Sequence, residues 1–162
     1  MTDTPPAVID DETWSVTRTI SIAAPRSRVW AALTRPELIS QWFGQRTEID
    51  RVEVGGSGHF YFDGYGENPV VIVEHQPESA FGYRWGKQGE PVRDDNSTLV
   101  RFTLDDEGDG TVLSVVETGF GLLAGDDGYR RAQLDEHRGG WDHELDELVA
   151  LVLAADPAAE TA

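Results

Sequence analysis

The sequence predicts an α+β domain: one antiparallel sheet packed on a single long C-terminal helix. Three observations carry this. The segment HRGGWDHELDELVALVL places Trp141, Leu145, Leu148, Val149 and Val152 on one face of a 3.6-residue period. The middle of the chain is a series of short alternating runs separated by turn signals. No other stretch is a long amphipathic helix, so the sheet has only this one to pack on.

The predicted helix runs over Tyr129–Leu153, and its inner face extends back to Leu134 and His137, while Arg138, Asp142, Asp146 and Glu147 fall on the solvated side. Gly139 and Gly140 interrupt it. Glycine inside a helix costs about 1 kcal/mol relative to alanine, so the pair predicts a kink or a close backbone approach. In chain order, residues 1–13 carry prolines and acids and are expected to be a disordered tail, residues 14–154 the folded domain, and residues 155–162 a second disordered tail.

From Trp14 to Ile22 the chain alternates, with Trp14, Val16, Ile20 and Ile22 on one face and Arg18 as the odd member of that face. Two short helices follow: one after Pro25 with Val29, Trp30 and Leu33 inward, and one from Pro36 with Leu38, Ile39, Trp42 and Phe43 as anchors. Strands are then expected over Thr47–Val54 and His59–Asp63 around GGSG, Pro69–Glu74 and Ala80–Trp85 around HQPES, and Thr98–Leu104 and Thr111–Thr118 around DDEGDG. The polar loop GKQGEPVRDDN is long enough to be functional.

Composition narrows the function. The 162 residues suit one domain that buries roughly 70% of its unfolded surface. The net charge is −17 and Lys87 is the only lysine, a field that repels phosphate backbones and argues against nucleic-acid binding. Cysteine is absent, so disulfides and thiolate chemistry are excluded and a cytoplasmic location is expected. No apolar run approaches a membrane span, and the N-terminus has no signal-peptide pattern.

The run APRSRVWAALTRPELISQWF resembles the start of the family of homologues of the activator of heat-shock protein 90 ATPase, within the START-like, birch-pollen-allergen-like superfamily. Pro25, Val29, Trp30, Ala32, Leu33, Thr34, Pro36, Leu38 and Trp42 carry the resemblance. Further pieces follow in the family's order: GGSGHF, then Pro77, Phe81, Tyr83 and Trp85, then Gly110-Thr111, Glu117 to Phe120, and Gly140-Trp141. The resemblance implies a helix-grip fold over residues 14–154: a curved sheet wraps the C-terminal helix, two short helices close one end, and a cavity lies between sheet and helix. It also carries the family's association with stress response.

Motif chemistry is mostly excluded. His143-Glu144 opens like a zinc-protease helix, but Glu147 stands where the second histidine is needed. Asp105, Glu107, Asp109 and Gly110 open like a calcium loop, but Val116 occupies the position of the bidentate glutamate. GGSGHF matches no phosphate-binding loop, and no serine sits in a nucleophile elbow. No metal or cofactor is expected.

The remaining candidates are cavity-lining side chains: Trp42, Phe60, Trp85, Arg101, Glu117, Phe120, His137, Trp141 and Leu145. The large aromatics can wall a pocket or simply fill a core. Both faces of the strands bearing Arg101 and Glu117 are partly apolar, so the pair reads either as buried partners facing the cavity or as an exposed cross-strand pair. His137, one turn before Trp141, is the candidate acid–base or ligand contact, with a satisfied histidine as the plainer alternative.

The expected function is a non-catalytic domain, monomeric or homodimeric, that encloses a small hydrophobic or amphipathic molecule. The first alternative is a cavity-based enzyme of aromatase, cyclase or hydrolase type, and the second a co-chaperone-like interaction domain. The last ranks low, because the eukaryotic activator uses a separate N-terminal domain.

Overall fold

In the computed structural model, which describes residues 2–62 and 66–154, eight strands form one curved, unclosed antiparallel sheet around a long helix. The elements are β1 (Val8–Asp10), β2 (Ser15–Ile22), α1 (Arg26–Thr34), α2 (Pro36–Trp42), β3 (Arg46–Ile49), β4 (Ser57–Phe62), β5 (Gly66–Gln76), β6 (Ala80–Gly86), β7 (Ser97–Glu107), β8 (Gly110–Thr118) and α3 (Asp127–Ala154). The strand order is β1-β2-β8-β7-β6-β5-β4-β3. This is the expected helix-grip architecture. The expected tail 155–162 lies outside the described residues.

Period-two alternation decides which face of the sheet meets the helix. Val16, Arg18, Ile20 and Ile22 of β2, Thr98, Val100, Phe102 and Leu104 of β7, and Thr111, Leu113, Val115 and Glu117 of β8 all point inward and are buried. From the other side α3 buries Leu134, Trp141, Leu145, Leu148, Val149 and Val152. The short helices close one end, where Trp42 Nε1 of α2 donates 2.7 Å to the Ala32 carbonyl of α1. Just beyond α2, Phe43 stacks on Trp141 at 5.7 Å between centroids. Among the described residues no helix is long and apolar enough to cross a membrane.

Three expectations need correction. β3 stops at Ile49, not near Val54, because the Asp50 carboxylate accepts the Ser57 N–H at 2.8 Å and folds the chain into a turn. The glycine pair neither kinks α3 nor admits another backbone: the helix is continuous, and a Cβ added at Gly139 or Gly140 would meet nothing within 4 Å. The N-terminal segment is not a disordered tail either. Val8–Asp10 pairs with β2 as an edge strand, and Ala7 is buried.

Arg18, the odd residue of the β2 pattern, explains the order at the N-terminus. Its side chain is 2% exposed. Nε donates to the Pro5 carbonyl at 2.8 Å and Nη2 to the Thr4 carbonyl at 3.2 Å. On the other side Nη1 donates to the Trp141 and Asp142 carbonyls of α3 at 3.1 and 3.0 Å, and Nη2 reaches Asp146 at 2.7 Å. The Asp142 carboxylate in turn accepts the Ala7 N–H at 2.7 Å. A buried guanidinium with all these acceptors ties chain start, sheet and helix together. Arg18→Ala is expected to cost about 3 kcal/mol, since it leaves buried carbonyls unpaired and a void behind. It should also release β1, read as loss of amide-exchange protection at Ala7–Asp10. Unchanged protection there would show that β1 holds without the clamp.

Candidate functional site

The site is built around Glu117. Because β8 alternates, Glu117 points inward in line with Leu113 and Val115 and is 0% exposed. Across the sheet Trp85 of β6 pairs with Thr98 of β7, and Val100 of β7 pairs with Glu117, so Trp85, Thr98 and Glu117 share the inner face as neighbours. From α3, His137 and Trp141 sit one turn apart on the same side. All of these converge on one carboxylate. Trp141 Nε1 donates to Oε1 at 2.8 Å, Trp85 Nε1 to Oε2 at 3.0 Å, and the Thr98 hydroxyl to Oε2. His137 Nδ1 lies 2.9 Å from Oε2 and 3.0 Å from Oε1. Gly119, at φ +99°, then turns the chain away from the sheet directly after this residue pair of β8.

Burial pushes the Glu117 carboxyl up, but the attraction of His137 and the hydrogen bonds from His137, Thr98 and Trp141 together overcome it and hold the group below the usual carboxylate range. Burial likewise disfavours the charged form of His137, yet the charge and hydrogen bond of Glu117 leave its imidazole raised. Both shifts favour the charged forms, a carboxylate beside an imidazolium. Nearby, burial and then the Glu117 charge push the Tyr83 phenol well up. Glu144 is raised chiefly by burial.

Above this pair lies a cavity of about 490 Å³ between α3 and the β4–β7 part of the sheet. Phe43, Phe62, Trp85 and Trp141 supply much of its apolar wall, and Leu123 and Tyr129 stand on the side where the chain enters α3. Gln133, Glu136, His137, Gly140 and Glu144 form the helical wall. The polar loop foreseen as functional contributes Lys87, Gln88 and Asn96. His137 is 21% exposed on its side chain, its ring set edge-on to Phe120 at 5.1 Å. With Nδ1 bound to Glu117, its Nε2 has no hydrogen-bond partner among the described residues. Gly140 is the helical position whose missing side chain leaves room in the cavity.

Of the residues singled out from sequence, Trp85, His137 and Trp141 line the cavity, and Glu117 lies directly behind them as their common partner. Trp42, Phe60, Phe120 and Leu145 are packed in the hydrophobic core instead. Arg101 is on the opposite face of the sheet: it pairs with Val116, is exposed, and holds Glu74 through Nε at 2.7 Å. It forms neither a buried nor an exposed pair with Glu117. The residues that sequence reasoning missed are Thr98 on β7 and Gln133, Glu136 and Glu144 on α3. The helical ones each stand four residues from His137 or Gly140, a spacing visible in the sequence. Among the described residues no group of three or more acidic or histidine side chains is placed to hold a metal ion.

The fold is that of the START-like superfamily. The family model for Activator of Hsp90 ATPase homolog 1-like protein matches residues 23–152, and the chain belongs to that family. Among solved structures it is similar to CalU16 from Micromonospora echinospora, at 23% identity and a TM-score of 0.65, covering 99% of this chain and 90% of that one. It is also similar to DynU16, a protein of the dynemicin biosynthetic locus, at 22% identity and a TM-score of 0.69, covering 89% of this chain and 49% of that one. The Aha1 dimer from Colwellia psychrerythraea matches at 18% identity and a TM-score of 0.66, covering 85% of this chain and 95% of that one. No curated protein matches the chain.

The ion pair gives the protein a definite pH dependence. Glu117 is held below the unfolded carboxyl value of about 4.3, so its contribution is present above that pH and is lost as pH falls through the depressed value. His137 is raised above the unfolded imidazole value of about 6.5, so its contribution is complete below that pH and is lost as pH rises through the raised value. The pair therefore stabilises most between about pH 4.3 and 6.5. Denaturant melts should show the wild type losing stability relative to His137→Gln as pH rises beyond about 6.5. Parallel pH profiles for the two proteins would contradict the pairing.

Proposed function

We propose that this chain is a START-like binding domain that encloses one small hydrophobic or amphipathic molecule between the sheet and α3. The observation that carries this is the cavity of about 490 Å³, a volume suited to a small organic ligand. Its polar groups converge from one helix and one loop upon a largely aromatic wall, the usual composition of small-molecule sites. That DynU16 comes from a biosynthetic locus supports a small-molecule partner for this fold. The partner is then a ligand rather than the chaperone to which the family description refers: the polar groups line a concave pocket beside aromatic side chains.

A catalytic role is the second reading, favoured by one feature. Glu117 orients His137 through Nδ1 and leaves Nε2 unspent, the arrangement that fixes an imidazole for proton transfer.

Gly140 provides the test. Leucine at this position meets no neighbouring atom at Cβ and improves helix propensity by up to about 1 kcal/mol, so Gly140→Leu should be at least as stable as the wild type while filling the cavity. In a thermal-shift and native mass-spectrometry screen of neutral aromatic and aliphatic alcohols, wild type is expected to bind and Gly140→Leu to lose binding. No ligand for the wild type, or equal binding by the variant, would reject the cavity as the binding site.

A further inference from the structure

Resting on that reading, we infer that the ligand carries a positively charged nitrogen: the cavity is built for an amphipathic amine rather than for an acid or a neutral lipid. The indole N–H groups of Trp85 and Trp141 are both spent on Glu117, so these residues present carbon and π surface to a ligand. Phe43 adds a third aromatic wall, stacked on Trp141. Three neutral donors are spent as well, while the Gln88 and Gln133 amides, the Tyr129 hydroxyl and His137 Nε2 have no hydrogen-bond partner among the described residues. The Thr98 hydroxyl is given to Glu117, the Asn68 amide to the Gly86 carbonyl, and the Asn96 amide to the Pro91 carbonyl.

Among the charged groups of the wall, those without a salt bridge are carboxylates. Glu136 and Glu144, two turns apart along the helical wall, form no salt bridge among the described residues, whereas Arg131 and Arg138 of the same helix each have an aspartate partner. Glu144 is raised chiefly by burial, which outweighs the attraction of neighbouring His143, as expected for an acid partly withdrawn from water. The cations that face the cavity each lie beside an acid: Lys87 is 3.7 Å from Glu90, which Arg93 shares, and the His137 charge is balanced by Glu117. An ammonium group set between these acids and the indole faces gains both charge pairing and cation–π attraction. A carboxylate ligand meets like charge from both acids instead.

A matched series separates this inference from the reading it rests on. Naphthylmethylamine, naphthalenemethanol and naphthoate share one ring system and differ in head-group charge at neutral pH. In calorimetric titrations of the full chain the amine is expected to bind about tenfold tighter than the alcohol, and the acid weaker than either. Glu144→Gln, which keeps shape and removes charge, should erase most of that preference. Gly140→Leu should abolish amine binding, which excludes attraction to the acidic surface at large. Binding of the alcohol or acid as tightly as the amine, a preference that survives Glu144→Gln, or amine binding that survives Gly140→Leu would each overturn the inference alone. Failure of all three compounds to bind would overturn it together with the cavity reading.

Discussion

A carboxylate with no solvent exposure is the constraint around which the inner face of this protein is arranged. Removing an ionised carboxyl from water is costly unless hydrogen bonds and an opposite charge replace the lost hydration. Glu117 obtains both, from two indoles, a hydroxyl and an imidazole that belong to β6, β7 and α3. Those donors are directional, so satisfying Glu117 fixes the register of β6, β7 and β8 at this end and the rotation of α3 over them. Apolar packing alone would accept several rotations of the helix; the carboxylate accepts one.

Trp141 joins this cluster to the second buried charge. Its indole N–H donates to Glu117, while its backbone carbonyl accepts Arg18, which reaches on to the N-terminal segment. One turn of α3 is thereby held from two sides by two oppositely charged buried groups. Between this turn and the sheet the aromatic side chains cannot collapse onto one another, because Trp85 and Trp141 are tethered to the same carboxylate. Together with the bare Gly140 position, this is a physical reason for a cavity here in a core that is otherwise filled.

Much of the architecture was legible in the sequence because it rests on periodicity. The stripe from Leu134 to Val152, the two proline-started helices and the alternating strands are local signals. The inner face of β7 and β8 was not read, although the two-residue turn Gly108-Asp109 contains it. Pairing Glu107 with Gly110 forces Val100 opposite Glu117 and puts Arg101 on the far face. The convergence of Trp85 and Thr98 on Glu117 was beyond reach, since the ten residues between β6 and β7 hide their register. Arg18 was visible only as an anomaly, its partners being carbonyls of a segment too polar and proline-rich to look ordered. The glycine pair misled because a helix-weakening residue was read as a bend, when the helix is straightforwardly continuous and the missing side chain makes space.

The proposed ligand site thus leans on a structural charge pair: the polar cluster that fixes the helix also takes up the two indole N–H groups of the cavity wall. The most direct measurement is the ionisation of Glu117 itself, followed by carbon NMR of its side-chain carboxyl as pH is lowered from neutrality, with Glu117→Gln used to assign the signal. The carboxyl is expected to be ionised at neutral pH and to remain so below the ordinary glutamate range, with the His137 ring protonated over the same interval. A Glu117 that is protonated at neutral pH, beside a neutral His137, would contradict the charge pair and with it the organisation of the site.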